Sequence, residues 1–492
     1  MIKNPSLYEI NTRVWIRQFD SEGKKATLED VPERYWRSLK DKGMDYIWLM
    51  GVWKTIPAAI EQYCFEENLI RGYRAALRNW TPEDVIGSPY SIDNYELNPE
   101  LGNEQTLQIL RAKLHSLGLL LILDFIPNHF SAASGLIKSA PEIFLQTDKE
   151  LFERDRHTYF KPTEDEEKYF AHGRDPFFPA WQDTVQVNYF SESARDFMIR
   201  SLIKISKVCD GVRADMAMLA INNVFKNTWA GVLEKFGYSK PAAEFWSLAI
   251  SIVKDVNPDF IFLAEAYWDL EWDLQQLGFD FTYDKKLTDR IKAGYVPDIK
   301  DHLSAEKDYQ EKSIRFIENH DEERSAAILG SNKAMAAAIL ISTIKGMRFY
   351  YDGQFKGKRI QLPVQLGREP AEQLKPAVED FYANLLPIVK EEIFKEGEWR
   401  ALEVLPVWEG DNSFYNILAW QWQYRDETRL VVINFSDEYS RARIKLDTRG
   451  YFEVFTLNDL LNGQTYVRSS GEVFNAGLYV ELKNFKSHIF SF

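Results

Sequence analysis

Short apolar runs alternate with helical stretches along most of the chain, and several of the runs stop on charged or amide side chains. Leu7–Trp15, Tyr46–Trp53, Leu119–Phe125, Gly211–Asp215, Phe260–Glu265, Phe279–Asp284, Ile314–Asn319 and Met347–Tyr351 read as strands. The third is apolar throughout, as a parallel strand covered on both faces must be. The segments around 32–42, 56–77, 104–117, 194–207, 242–256, 333–343 and 372–390 read as helices. Within the third of these, Leu107, Leu110, Leu114 and Leu117 recur at helical spacing, and Gly118 stands where a glycine ends a helix. Eight strands with helices between them predict an α/β fold, a (β/α)8 TIM barrel, over an open sheet.

The alternation breaks twice. From 130 to 185 the chain is rich in Phe, Pro, Asp and Glu, as in HGRDPFFPAWQD (His172–Asp183). A stretch this long is uncommon inside a compact domain unless it is functional, so it reads as a small insertion after strand three that walls a site. After Phe394 the period changes to two. Arg429–Asp437, Arg441–Asp447, Tyr451–Leu457, Leu478–Asn484 and Ser487–Phe492 read as strands, and Asn462-Gly463 predicts a type I′ hairpin turn. The expected division is a barrel over 1–129 and 186–394, an insert over 130–185, and an antiparallel all-β domain over 395–492.

Composition narrows the function classes. The chain has 492 residues, of which 45% are hydrophobic, as in ordinary globular proteins. Its formal charge of −14 disfavours nucleic acid as a partner. No apolar run reaches the length of a membrane span, so no membrane partner is expected. MIKNPSLYEINTRVW lacks the apolar core of a secretory leader, and the two cysteines, Cys64 and Cys209, read as small buried hydrophobes; both point to the cytoplasm. Fourteen Trp and 24 Tyr exceed what a core needs and suit stacking on sugar faces. Trp420 and Trp422 share a strand face and could do this, although core packing is the plainer reading. Oligomeric state is not encoded in any of these patterns.

The chemistry gathers at the strand ends. Asp215 and Glu265 close the fourth and fifth strands, and Asp321 follows the seventh across the mouth. Carboxylates converging on one pocket repel each other, so one is held protonated while others stay ionised. Cleavage of a glycosidic bond needs that arrangement. Metal binding and proton abstraction beside a carbonyl draw on the same residue types.

DFIPNH, GVRADMAM, FLAEAYW and FIENHD, in this order, resemble the four signature regions of the α-amylase superfamily, glycoside hydrolase family 13, and GSPYSIDNY resembles the segment before the first of them. The resemblance covers the barrel, and the family's usual C-terminal β-domain matches the rest. It implies Asp215 as nucleophile, Glu265 as general acid and base, and Asp321 as the group that clamps the distorted sugar. Arg213 would keep Asp215 ionised, His129 and His320 would donate to hydroxyls of the cleaved sugar, and Tyr90 would stack beneath its ring. Asp124 and Asn128 would hold the loops around the site.

Departures from the family pattern sit around that centre. Met218 and Leu219 replace the Lys and His that often touch the leaving-group side. Ser91 stands where exo-acting glucosidases often carry Asp. Gln186 stands where an Asp often binds calcium; an amide is a poorer ligand for a hard cation, so no calcium site is predicted and no cofactor is expected. The resemblance implies a retaining α-glycoside hydrolase acting on α-glucans or malto-oligosaccharides, with an oligo- or polysaccharide as its partner. The rivals are a transglycosylase, a sucrose- or trehalose-processing enzyme with the same carboxylates, a catalytically dead carbohydrate-binding barrel, and a metal-dependent barrel lyase.

Overall fold

The computed structural model describes residues 2–162 and 167–492. Among these, eight parallel strands close a barrel: β1 (Ser6–Asn11), β2 (Tyr46–Met50), β3 (Leu120–Phe125), β4 (Gly211–Ala214), β5 (Ile261–Ala264), β6 (Phe281–Tyr283), β7 (Ser313–Arg315) and β8 (Met347–Tyr351). Each pairs with its neighbours in chain order, and β8 closes onto β1. Helices pack outside, from Glu33–Asp41 after β1 to Pro376–Val389 after β8. The fold is therefore the expected (β/α)8 barrel with a C-terminal antiparallel β-domain.

Strand period decides what faces inward. Leu7, Trp48, Ile122, Leu263, Phe281, Ile314 and Phe349 pack with one another inside the barrel. Their chain neighbours Tyr8, Ile47, Leu121 and Phe262 pack outward against the helices. Gly211 lies on the inner floor, where an added Cβ would fall 2.5 Å from the Ile261 carbonyl oxygen and 2.7 Å from Ile122 Cδ1, so no side chain fits. The same alternation, carried past the last paired residue, points Asp215 and Glu265 into the mouth.

Several element ends differ from the sequence reading, each for a local reason. β1 stops at Asn11, and Thr12–Trp15 turn into a short helix whose Arg13 donates to the Gly87 and Val364 carbonyls. Gly51, at φ 76°, breaks the second run, so Trp53–Thr55 leaves the barrel and pairs antiparallel with Ile92–Leu97. The helical stretch after it is two helices, Ala58–Tyr63 and Glu67–Ala76. β7 holds three residues, because beyond Phe316 the backbone turns away and Glu318 and Asn319 accept hydrogen bonds from Ser325, Asp321 and Glu322. Asn462-Gly463 is not a two-residue type I′ turn. Only Gly463 takes a positive φ, and its N–H reaches Asp459 across a four-residue connection, while the Asn462 amide is tied to Asp459 and Ser487.

The insert opens and closes on an antiparallel ladder of His129–Ser131 with Thr184–Gln186, so both expected boundaries fall inside paired strands. Between them lie a helix, Lys149–Arg154, and a three-stranded sheet of Gln146–Thr147, Tyr159–Phe160 and Tyr169–Ala171. Residues 163–166 of the insert lie outside the described residues.

The C-terminal region is a six-stranded and a three-stranded sheet around Ile417, Leu430, Val432, Ile444 and Leu482. Its longest strands, Ile417–Tyr424 and Glu427–Asn434, turn their other face to the barrel through Leu418, Trp420, Trp422, Val431 and Ile433. Trp420 and Trp422 are buried there, not free to stack on sugar. The Trp422 indole N–H donates to the Thr343 carbonyl at 2.6 Å, which ties the sheet to a barrel helix. No helix among the described residues is long and apolar enough to cross a membrane. Both cysteines are buried and unbridged.

Trp422→Ala removes a fully buried ring and its bond across the junction. It should cost about 3–5 kcal/mol, read as a lower urea midpoint for the whole chain.

Candidate active site

Arg213 is the centre of the site. It is fully buried, inward-facing on β4, and stays charged because its guanidinium meets two carboxylates. Nη1 donates to Asp215 Oδ1 at 2.5 Å. Nη2 lies 2.9 Å from Glu265 Oε2, an ion pair whose N–H is not aligned on the oxygen. Three rings enclose the cation, with Cζ 5.1 Å from the Trp48 centroid, 5.5 Å from Tyr90 and 5.6 Å from Tyr283.

Glu265 has both oxygens engaged. Oε2 accepts the Met216 N–H at 2.6 Å, and Oε1 accepts the Tyr267 hydroxyl at 2.9 Å. Met216 reaches that position from a left-handed backbone, φ 42°, immediately after Asp215. Burial pushes the Glu265 carboxyl up to about 7; Arg213 opposes this, and Asp215 and Asp321 add to it.

A second network stands across the mouth. His320 Nδ1 meets Glu9 Oε1 at 2.5 Å, and Nε2 meets the Tyr90 hydroxyl at 2.7 Å and Asp321 Oδ2 at 3.0 Å. Burial would strip the imidazole of its proton, but Asp321 and Glu9 outweigh it and hold the ring protonated well above its ordinary range. Asp321 moves the opposite way. Burial of the site raises it, yet His320 pulls it below the usual carboxylate range, and its side chain keeps 46% of its surface exposed. Two carboxyls on one rim are thus driven apart in acidity by different surroundings.

The remaining expected residues divide into two groups. Tyr90 lies in the mouth, its ring 5.5 Å from His320 and nearly parallel to it. His129 is buried beside Trp181; burial lowers its basicity, with Asp215 opposing. Asp124 and Asn128 lie beneath the site. Asp124 accepts from the Trp48 indole at 3.1 Å and the Gly51 N–H at 2.7 Å, and burial raises it to about 6 against the pull of Arg213. Asn128 is tied to the insert through Gln186, whose Nε2 donates to the Asn128 carbonyl at 2.9 Å and to its Oδ1 at 3.0 Å.

That amide answers the calcium question chemically. Its N–H groups face the oxygens that a hard cation would need, and a third bond runs to the Val187 carbonyl. The residues do not fit a cation there. Met218 and Leu219 are buried in a 3-10 turn, so they offer nothing to a ligand. Ser91 donates to the Asp183 carbonyl at 2.7 Å.

Glu9 and Tyr267 belong to the site and escaped the sequence reading. Glu9 has a signal in hindsight: it is the one charge within the LYEIN run and shares the inward phase of Leu7. Tyr267 lies two residues past Glu265 and reaches back to it through its hydroxyl.

A family model described as "Alpha amylase, catalytic domain" matches residues 35–392. Among curated proteins, the chain is 23% identical over 303 residues to α-amylase 3 of Dictyoglomus thermophilum, covering 56% of this chain and 55% of that one. It is 26% identical over 282 residues to a cyclomaltodextrin glucanotransferase of a Bacillus species, covering 53% and 37%. The chain spans between 37% and 62% of the length of the curated relatives it matches. Among solved structures, a maltogenic α-amylase of Thermotoga neapolitana superposes with a TM-score of 0.70 at 18% identity, covering 99% and 98% of the two chains.

Two measurements probe these networks. In Glu9→Gln, His320 loses one of its two anionic partners, so its ring should titrate at lower pH than in the unaltered protein, read by long-range imidazole nitrogen NMR. Because Gln186 fills the cation position, the melting temperature should be the same in excess calcium and in EDTA; a rise with calcium would reveal a site that binds it.

Proposed function

The chain belongs to the α-amylase family, and on that premise we propose that it is a retaining α-glycoside hydrolase acting on α-glucans or malto-oligosaccharides. The observation that carries this reading is the single buried guanidinium holding Asp215 and Glu265 side by side while Glu265 is pushed up to about 7. Double displacement needs such a pair, with carboxyls about 5–5.5 Å apart.

Each step follows from the environments. Asp215, paired with Arg213, attacks the anomeric carbon as a carboxylate. Glu265 passes its proton to the glycosidic oxygen, and the leaving sugar departs. Oε2 is occupied by Met216 and Arg213, so Oε1, which faces the Tyr267 hydroxyl, carries that proton. The ionised Glu265 then takes a proton from water, and the hydroxide formed displaces Asp215 with a second inversion. Asp321, ionised beside protonated His320, binds hydroxyls of the flattening ring, while Tyr90 and His129 border the same sugar. A fully buried Arg213 with two acidic partners is expensive to maintain, which supports a working site over a dead binding barrel.

Glu265→Gln should lower kcat on malto-oligosaccharides about 10²–10⁴-fold. Near-normal turnover would remove Glu265 from the acid role. The general acid must be protonated, so kcat/KM should fall as pH rises through about 7, and this limb should vanish in the variant. Proton NMR of the first product should show the α-anomer; an initial β-anomer would refute double displacement.

A further inference from the structure

Two segments outside the barrel meet over one side of its mouth. The helices Ala58–Tyr63 and Glu67–Ala76 follow β2, and the strap 357–372 follows β8. They share an apolar cluster, in which Leu362 and Leu366 of the strap join Tyr73, Leu77 and Val85, together with Val14 just past β1. Backbone bonds stitch the seam. The Ile86 N–H donates to the Gln365 carbonyl and the Gly367 N–H to the Asp84 carbonyl, each at 2.8 Å. Arg368 then grips the Asp84 carboxylate through two bonds of 2.7 Å. A strap tied by buried leucines, backbone bonds and a bidentate ion pair is a fixed part of the fold.

The wall continues at both ends. Gln361 donates to the Asp321 carbonyl at 2.6 Å, which joins the strap to the loop after β7. At the other end Ile60 lies over Gly87, where an added Cβ would come within 3.3 Å of it, and Ser91 donates to the Asp183 carbonyl of the insert at 2.7 Å. The barrel order puts β8, β1 and β2 across from β5, which leads to Glu265. The wall therefore stands on the side of the mouth away from that carboxyl. The two carboxyls at its ends report what it encloses. Asp321 keeps 46% of its side-chain surface, yet burial is still the largest single influence on it. Asp183 is likewise only half-buried, and burial pushes it up to about 6; Glu66 adds to this, and no cation among the described residues pairs with it. A group that is open to water and still surrounded by protein stands in a deep concave space.

We propose that this mouth is a blind pocket for the end of a glucan chain, closed by the strap and the two helices and ending at Asp183, so that the protein cuts from the non-reducing terminus and not within a chain. This rests on the reading of Glu265 as the acid. The leaving sugar departs past Glu265, so the opposite end of the cleaved sugar points at the wall. A chain running through the site would need room there for further sugars, and the strap and helices fill that direction. A chain end needs only an acceptor for its free hydroxyls, and an ionised carboxylate without a cation offers one. Asp183 takes that part.

The test gives the full-length protein maltoheptaose and the same chain with its non-reducing sugar capped by an acetal, and separates the products by chromatography. The free chain should release one short product first, and kcat/KM on the capped chain should be lower by about 100-fold. Asp183→Asn should raise KM for the free chain about tenfold with kcat little changed, because it removes binding shared by ground and transition states. Equal rates on the two chains would overturn the blind pocket and leave the hydrolase reading intact. An unchanged KM in Asp183→Asn would overturn the place of Asp183 at its end. Should the unaltered protein cut neither chain, the hydrolase reading fails, and the pocket is judged by calorimetry. Affinity for the free chain about tenfold above that for the capped one would uphold it. Equal affinity, or no binding of either, would overturn it.

Discussion

A cation with no access to water organises the mouth of this barrel. Taking a guanidinium out of water costs many kcal/mol unless charge and hydrogen bonds replace the solvent. Arg213 recovers that cost from Asp215, Glu265 and three ring faces. The dependence runs both ways. Without Arg213, Asp215 and Glu265 would face each other with no compensating charge, and the pocket would take up protons until it neutralised. The inward phase of β4 turns Arg213 into the mouth, where Trp48, Tyr90 and Tyr283 surround its guanidinium.

The second charged group has a different logic. Glu9, His320 and Asp321 form a line of alternating charge from the barrel interior to its exposed rim, with Tyr90 bonded to its middle member. A buried imidazolium flanked by two carboxylates keeps Asp321 ionised even though the site as a whole is anionic. The two networks meet at Tyr90, whose ring faces Arg213 and whose hydroxyl binds His320. One pocket can therefore hold a carboxyl that keeps its proton near neutrality and another that does not.

Much of this was legible in the sequence because strand geometry is periodic. A run such as FIFLAEAYW declares its inward phase, and a carboxylate on that phase at the strand end has nowhere to point but the mouth. The strand limits were less legible. Gly51 splits a run that looks continuous, and β7 is shortened by side-chain bonds to Glu318 and Asn319 that hydrophobicity does not report. Glu9 was missed for the opposite reason: its partner is more than three hundred positions away, and only barrel closure brings β1 beside β8 and the loop after β7. Trp420 and Trp422 show the same limit, since period two says that they share a face but not that the face meets the barrel.

The outer shell of the site is built from weaker forces than its centre. Gln186 holds Asn128 by neutral amide bonds where a divalent cation would have acted as a charged pin, and the insert is tied to the barrel at this point. The wall that carries His129 and Trp181 is therefore joined to the barrel here by uncharged bonds. Arg213 is held at once by two carboxylates and three rings, whereas the insert meets the barrel at this point through neutral amide bonds that carry no such charge.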